Sequence, residues 1–148
     1  IIEKDGEIVP KIKVSENAEK ITNPGFKNIY RVYDKKTGHA EADFIYLRNE
    51  GAYDESKPLV LTHPTDRWKT ITFDNYNLRP LQIDVIKDGE VVYGKPKLSE
   101  IKKYAERELA TFWDEYKRLD KPHVYKVDLS EPLYELKTAM LESIRSKS

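Results

Sequence analysis

The apolar pattern changes period near residue 98, and this constrains the fold more than any single motif does. Before that point, turn chemistry interrupts the chain every few residues. The tetrapeptide Lys-Asp-Gly-Glu occurs at Lys4 and again at Lys87. Asp-Gly marks a tight hairpin because both central residues of such a turn take positive φ. The residues flanking the two copies do not match, so this is shared turn chemistry and not an internal repeat. After that point Leu98, Ile101, Tyr104, Ala105, Leu109, Phe112, Trp113, Tyr116 and Leu119 recur at three- and four-residue spacing. That spacing predicts one amphipathic helix running to Leu119, with Ser99 as its N-cap and Pro122 beyond its end. His123 to Leu129 reads as extended. A last helix opens at Ser130, again an N-cap, and carries Leu133, Leu136, Met140 and Ile144 on one stripe.

Between these limits the strands follow from composition and punctuation. Ile1 to Val14 is a hairpin around Asp5-Gly6, with Pro10 marking an edge or a break. Asn28 to Asp34 and His39 to Leu47 form a second hairpin across Lys35-Lys36-Thr37-Gly38. In its second arm Ala40, Ala42, Phe44 and Tyr46 share one face. Ile45 and Leu47 make the opposite face apolar too, so both faces should be covered toward the strand's end. Pro58 to Thr62 and Lys69 to Phe73 are short strands beyond a polar loop at 49–57. Leu81 to Ile86 and Glu90 to Tyr93 flank the second Asp-Gly. Strands first and helices last give an α+β fold: antiparallel hairpins in the N-terminal two-thirds, then two amphipathic helices.

Charge and cysteine usage narrow the function classes. Lys plus Arg and Asp plus Glu balance at 26 each, which leaves no net field to draw in nucleic acid or an anionic membrane. Cysteine is absent, removing disulfides, thiolate zinc sites and thiol nucleophiles together. No apolar run reaches the roughly 20 residues of a membrane helix, and no signal peptide opens the sequence. With 39% hydrophobic residues against 35% charged, the chain is lean in core material. Such a domain is expected to complete its core on another domain or subunit, with Trp68, Trp113 or tyrosine clusters marking the contact.

Catalytic constellations are sparse. His39, His63 and His123 stand in three separate contexts, and zinc spacings are missing. Neither a phosphate-cradling glycine loop nor a nucleophile elbow is present. The ten tyrosines lie on strands and helices with no basic stripe beside them, which fits packing better than base stacking. One segment stands apart: Lys11-Ile12-Lys13-Val14-Ser15-Glu16-Asn17, continuing to Lys20, Thr22, Pro24, Gly25 and Lys27. A strand ends there in a loop of cations and hydroxyls. Its Lys heads, Ser hydroxyl and backbone N–H groups are suitable phosphate donors.

Residues 11 to 27 also resemble the stretch that follows the barrel in bacterial nicotinate phosphoribosyltransferases. There a Lys-(Ile/Leu)-Ser element and Pro-Gly-x-Lys lead into a Tyr/Phe-Arg strand, here Ile29-Tyr30-Arg31-Val32-Tyr33-Asp34. The likeness continues through the hairpin from Leu81 to Tyr93 and the Pro-x-Leu-x-Glu-Ile helix from Pro96. It also includes Pro122-His123-Val124-Tyr125-Lys126-Val127-Asp128-Leu129-Ser130 and then Leu133 and Leu136-Lys137. The resemblance implies a type II phosphoribosyltransferase that joins nicotinate to phosphoribosyl pyrophosphate, coupled to ATP hydrolysis, with Mg²⁺ on the phosphates. Its catalytic residues belong to an N-terminal domain and barrel upstream of Ile1. No catalytic residue, metal ligand or cofactor is therefore expected in this chain. Residues 1–27 would be the connector leaving the barrel, and 28–148 the C-terminal α+β domain. Lys13, Ser15 and Lys20 are the residues the resemblance places near phosphate or near a subunit interface. The expected partners are the rest of the parent enzyme and, at full length, a second copy, in the cytoplasm. The competing expectation is a free-standing interaction module whose hairpin edges accept partner strands.

Overall fold

The computed structural model describes residues 1–146, so the last two residues of the 28–148 segment lie outside the described residues. The order is β1 (Ile2–Lys4), β2 (Glu7–Val9), β3 (Lys27–Asp34), β4 (Ala40–Leu47), β5 (Leu59–Thr62), β6 (Thr70–Phe73), β7 (Tyr76–Pro80), β8 (Ile86–Lys87), β9 (Glu90–Val91), α1 (Leu98–Ala110), α2 (Asp114–Lys117), β10 (Lys126–Leu129) and α3 (Glu131–Arg145). The two Asp-Gly turns form as expected. Asp5 and Gly6 take φ 53° and 80°, Asp88 and Gly89 take 51° and 83°, and each pair closes its own two-stranded hairpin.

The body is a six-stranded sheet in the order β6-β5-β10-β4-β3-β7. The hairpin register sets Tyr30 opposite Phe44, Arg31 opposite Asp43 and Val32 opposite Ala42. One face therefore gathers Val32, Phe44, Tyr46, Leu59, Leu61 and Tyr76 into a buried core, with Tyr30, Tyr53, Ile71, Phe73 and Leu78 packed against it. The sheet curls around this core. The loop at 48–58 crosses its open side and is tied down from β7: Tyr76 donates to the Lys57 carbonyl at 3.0 Å, and the Leu78 N–H donates to Glu55 at 2.8 Å. Helix α3 packs on β4 and β5 over the opposite face, with Leu133 fully buried. Its start is capped as expected, the Ser130 hydroxyl accepting from the Leu133 N–H at 3.3 Å.

Five features differ from the sequence expectation, the first being that residues 81–85, expected as a strand, are irregular and β8 is only Ile86–Lys87. Strand β7 occupies residues the pattern leaves unassigned, and it pairs with β3 at the sheet edge, where Pro80 is tolerated. Strand β10 enters between β4 and β5 and runs parallel to β4, so the sheet is mixed and not built of hairpins alone. The first long helix stops at Ala110 and is not continuous to Leu119. The Thr111 carbonyl accepts the Ala40 N–H at 2.9 Å and meets His39 Nδ1 at 3.0 Å, so the sheet captures the group that would have continued the helix. Its N-cap is Lys97, with Ser99 already inside the first turn; the Lys97 N–H donates to Glu100 at 2.6 Å.

Candidate functional site

The polar connector folds into a closed loop that spends much of its hydrogen-bonding capacity on itself. The Lys13 N–H donates to the Thr22 hydroxyl at 2.9 Å, and the Thr22 N–H returns a bond to the Lys13 carbonyl at 3.2 Å. Within the loop the Ser15 hydroxyl accepts from the Asn17 N–H at 3.3 Å. Asn17 in turn caps the 3-10 turn of Ala18–Lys20. Lys13, Ser15 and Lys20 thus share one loop. The Lys13 and Lys20 heads are exposed, while the Ser15 oxygen is engaged locally. Lys27 has a different job from the donor role its composition suggested. Its ammonium donates to the carbonyls of Asn23 at 2.7 Å and Gly25 at 2.8 Å, stapling the Pro-Gly turn that launches β3, and burial lowers its pKa. Gly25 itself has φ 87°, and a Cβ there would stand 2.5 Å from Leu47 Cδ2.

A second cluster was not visible as a unit in the sequence. Arg31 on β3 forks onto the directly opposed Asp43 at 2.7 and 2.9 Å. Its guanidinium lies 4.7 Å from the Phe112 ring and 5.8 Å from the Tyr125 ring. Tyr125 also donates to Asp43 at 3.1 Å. Arg79 on β7 forks onto Glu108 of α1, and Glu108 lies 3.6 Å from Arg31 as well. The Arg79 hydrogen bond holds the Glu108 carboxyl below its usual range, and burial pushes the Tyr125 hydroxyl upward. This network fastens α1 and the segment from Phe112 to Tyr125 to the sheet. The one sequence signal for it was the register of the hairpin, which sets Arg31 across from Asp43. A third node sits at the entry to α3. Glu50 accepts from the Leu47 N–H at 2.5 Å, from Tyr53 at 2.5 Å and from Ser130 at 2.7 Å.

The histidines do not converge. His39 stacks on Trp113 with ring centroids 3.9 Å apart, His63 faces the turn at Thr65 and Asp66, and His123 packs edge-on to Tyr116. Among the described residues no group of three or more His, Asp or Glu is placed to hold a metal ion. Also among the described residues, no helix is long and apolar enough to cross a membrane. Of the two tryptophans, Trp68 is exposed, whereas Trp113 is partly buried against His39 and donates to Glu41 at 2.9 Å. The apolar surface instead collects on α1 and on the β8–β9 hairpin. Leu98 is 82% exposed, Ile101, Tyr104 and Leu109 are exposed along the same helix, and Ile86, Val91 and Val92 are exposed on the hairpin.

A small curled sheet with one helix packed on it and another left with a bare apolar stripe defines an α+β domain with surface to share. Known proteins give the family. Residues 26–137 match the nicotinate phosphoribosyltransferase C-terminal domain, and the chain belongs to that family. It is 36% identical over 146 residues to a nicotinate phosphoribosyltransferase of Bacillus subtilis, covering 99% of this chain and 30% of that protein. A Caenorhabditis elegans nicotinate phosphoribosyltransferase is 33% identical over 127 residues, 85% of this chain and 22% of the relative. The crystal structure of human nicotinic acid phosphoribosyltransferase superimposes with a TM-score of 0.73 at 25% identity, over 81% of this chain and 24% of that one. The chain therefore spans under a third of the length of the curated relatives it matches.

Proposed function

We propose that this domain works as the C-terminal cap of an enzyme that joins nicotinate to phosphoribosyl pyrophosphate. The reaction forms nicotinate mononucleotide for NAD salvage, coupled to ATP hydrolysis with Mg²⁺ on the phosphates. In this reading residues 1–27 lead out of a catalytic barrel, and 28–148 buttress that barrel and a homodimer in the cytoplasm. The reacting groups belong to the upstream polypeptide. The observation that carries the reading is the near-complete match of this chain to a minor part of longer phosphoribosyltransferases. The bare stripe of α1 supports it: Leu98, Ile101, Tyr104 and Leu109 lie where a second surface would remove them from water.

Direct assay of nicotinate mononucleotide tests the proposal. The chain alone should give no turnover, and the full-length enzyme carrying it should be active. Turnover by the chain alone would overturn the reading. Lys13, Ser15 and Lys20 enter as phosphate contacts of the assembled enzyme. Replacing Lys13 and Lys20 by Ala in the full-length protein should raise the KM for phosphoribosyl pyrophosphate or ATP. Unchanged kinetics would reduce the loop to a connector.

A further inference from the structure

Lys137 is a covered lysine with few partners. It is 5% exposed, and its Nζ donates to a single acceptor, the Pro64 carbonyl, at 3.1 Å. An ammonium offers three donors, and covered charges are paired or they lose their charge. Among the described residues no carboxylate lies within ion-pair distance of Lys137. Burial alone lowers its pKa, with no acid opposing the shift. Beside it, between α3 and the 3-10 turn of the connector, lies a pocket of about 150 Å³ that Lys137 lines together with Thr65, Tyr134 and Arg145. Among the described residues no Asp or Glu lines this pocket.

We infer that this pocket is an anion site and that it seats one phosphate group against Lys137. Two cations and no acid give it the sign. The partly covered ammonium supplies donors that lack acceptors, and Arg145 at the rim adds a second cation with planar, forked donors. The volume sets the ligand size. It is below the roughly 300 Å³ at which sites for drug-sized ligands begin, so it admits a tetrahedral oxyanion but not a nucleoside. The site uses none of Lys13, Ser15 or Lys20, although the loop that carries them forms one wall through Ala18 and Ile21.

The test uses the whole chain, ¹⁵N-labelled, with inorganic phosphate added at constant ionic strength and chloride as control. Ribose 5-phosphate, run in parallel, separates free phosphate from a phosphate carried on a sugar. Saturable amide shifts should appear at Thr65, at 134–145 and at 18–21. Lys137→Met keeps the apolar stem and removes the charge, and it should weaken binding at least about 10-fold, as loss of a charged hydrogen bond does. Arg145→Ala on the rim should weaken it by less, and it keeps the test informative should the first variant fail to fold. Lys103→Ala, an exposed lysine of α1, should leave the affinity unchanged. Shifts that chloride reproduces, or undiminished binding by both Lys137→Met and Arg145→Ala, would overturn the proposal.

Discussion

Helices α1 and α3 are both amphipathic, yet they are held by different forces. Helix α3 has Leu133 fully buried against the sheet and a hydroxyl cap that also reaches Glu50. Helix α1 buries no residue and is fastened at its C-terminal end by the Arg79–Glu108 pair and the Thr111 carbonyl. The difference shows what amphipathicity means. A stripe reports that a face belongs out of water, without saying which polypeptide will cover it. In α3 the cover is this chain's own sheet; in α1, on our proposal, it is the upstream enzyme.

The sharpest test of that contrast is a pair of truncations followed by urea denaturation. Leu133→Ala should cost about 3 kcal/mol, in the range for a buried leucine whose cavity relaxes only partly. Leu98→Ala should stay within about 0.5 kcal/mol in the same chain, because it removes nothing buried. Near-equal losses would erase the distinction.

The next effect in size concerns the clamp under α1. Asp43→Ala should destabilise by about 3 kcal/mol, because it leaves Arg31 largely covered without its fork partner. Replacing both residues by apolar ones of similar volume should recover much of the loss. A double variant as unstable as the single one would show that packing, and not the stranded charge, sets the cost.

Ser130→Ala should cost about 1 kcal/mol through the lost cap, read as a lowered denaturation midpoint. The smallest expected effect is one of pH. Glu108 has its folded pKa below the usual 4.5, so the unfolded chain binds the proton more readily. Its contribution is complete above that usual value and fades as pH falls through the lower folded one. Acid should therefore lower the protection of α1 against hydrogen exchange, measured relative to the intrinsic rate at each pH, while α3, whose anchor Leu133 carries no charge, responds less. Equal responses would remove Glu108 as the specific anchor.

What was legible in the sequence follows how local each signal is. Both Asp-Gly turns, the β3–β4 hairpin and the Ser130 cap were readable because each is set by a few adjacent residues. Strand β7 was missed because Tyr76-Asn77-Leu78-Arg79-Pro80 is short, half polar and ends in proline, all marks of an edge strand. The parallel placement of β10 carried no local mark, since Lys126 to Leu129 would read the same beside any neighbour. The long helix was over-extended because Phe112, Trp113 and Tyr116 kept the helical spacing while serving a different purpose. They cover Arg31, stack on His39 and pack against Tyr125. The Lys13–Lys20 loop was legible as one polar segment, but its internal bonds were not. Nothing local marked Lys137 as buried, because its burial depends on the Pro64 turn, 73 residues away in sequence.

The most direct measurement is hydrogen exchange on residues 98–110, in this chain alone and within the full-length enzyme. The account predicts rapid exchange in the isolated chain and strong protection in the longer protein, with α3 protected in both. The same rapid exchange of 98–110 in both proteins would contradict it, for the stripe would then face water with no polypeptide to meet.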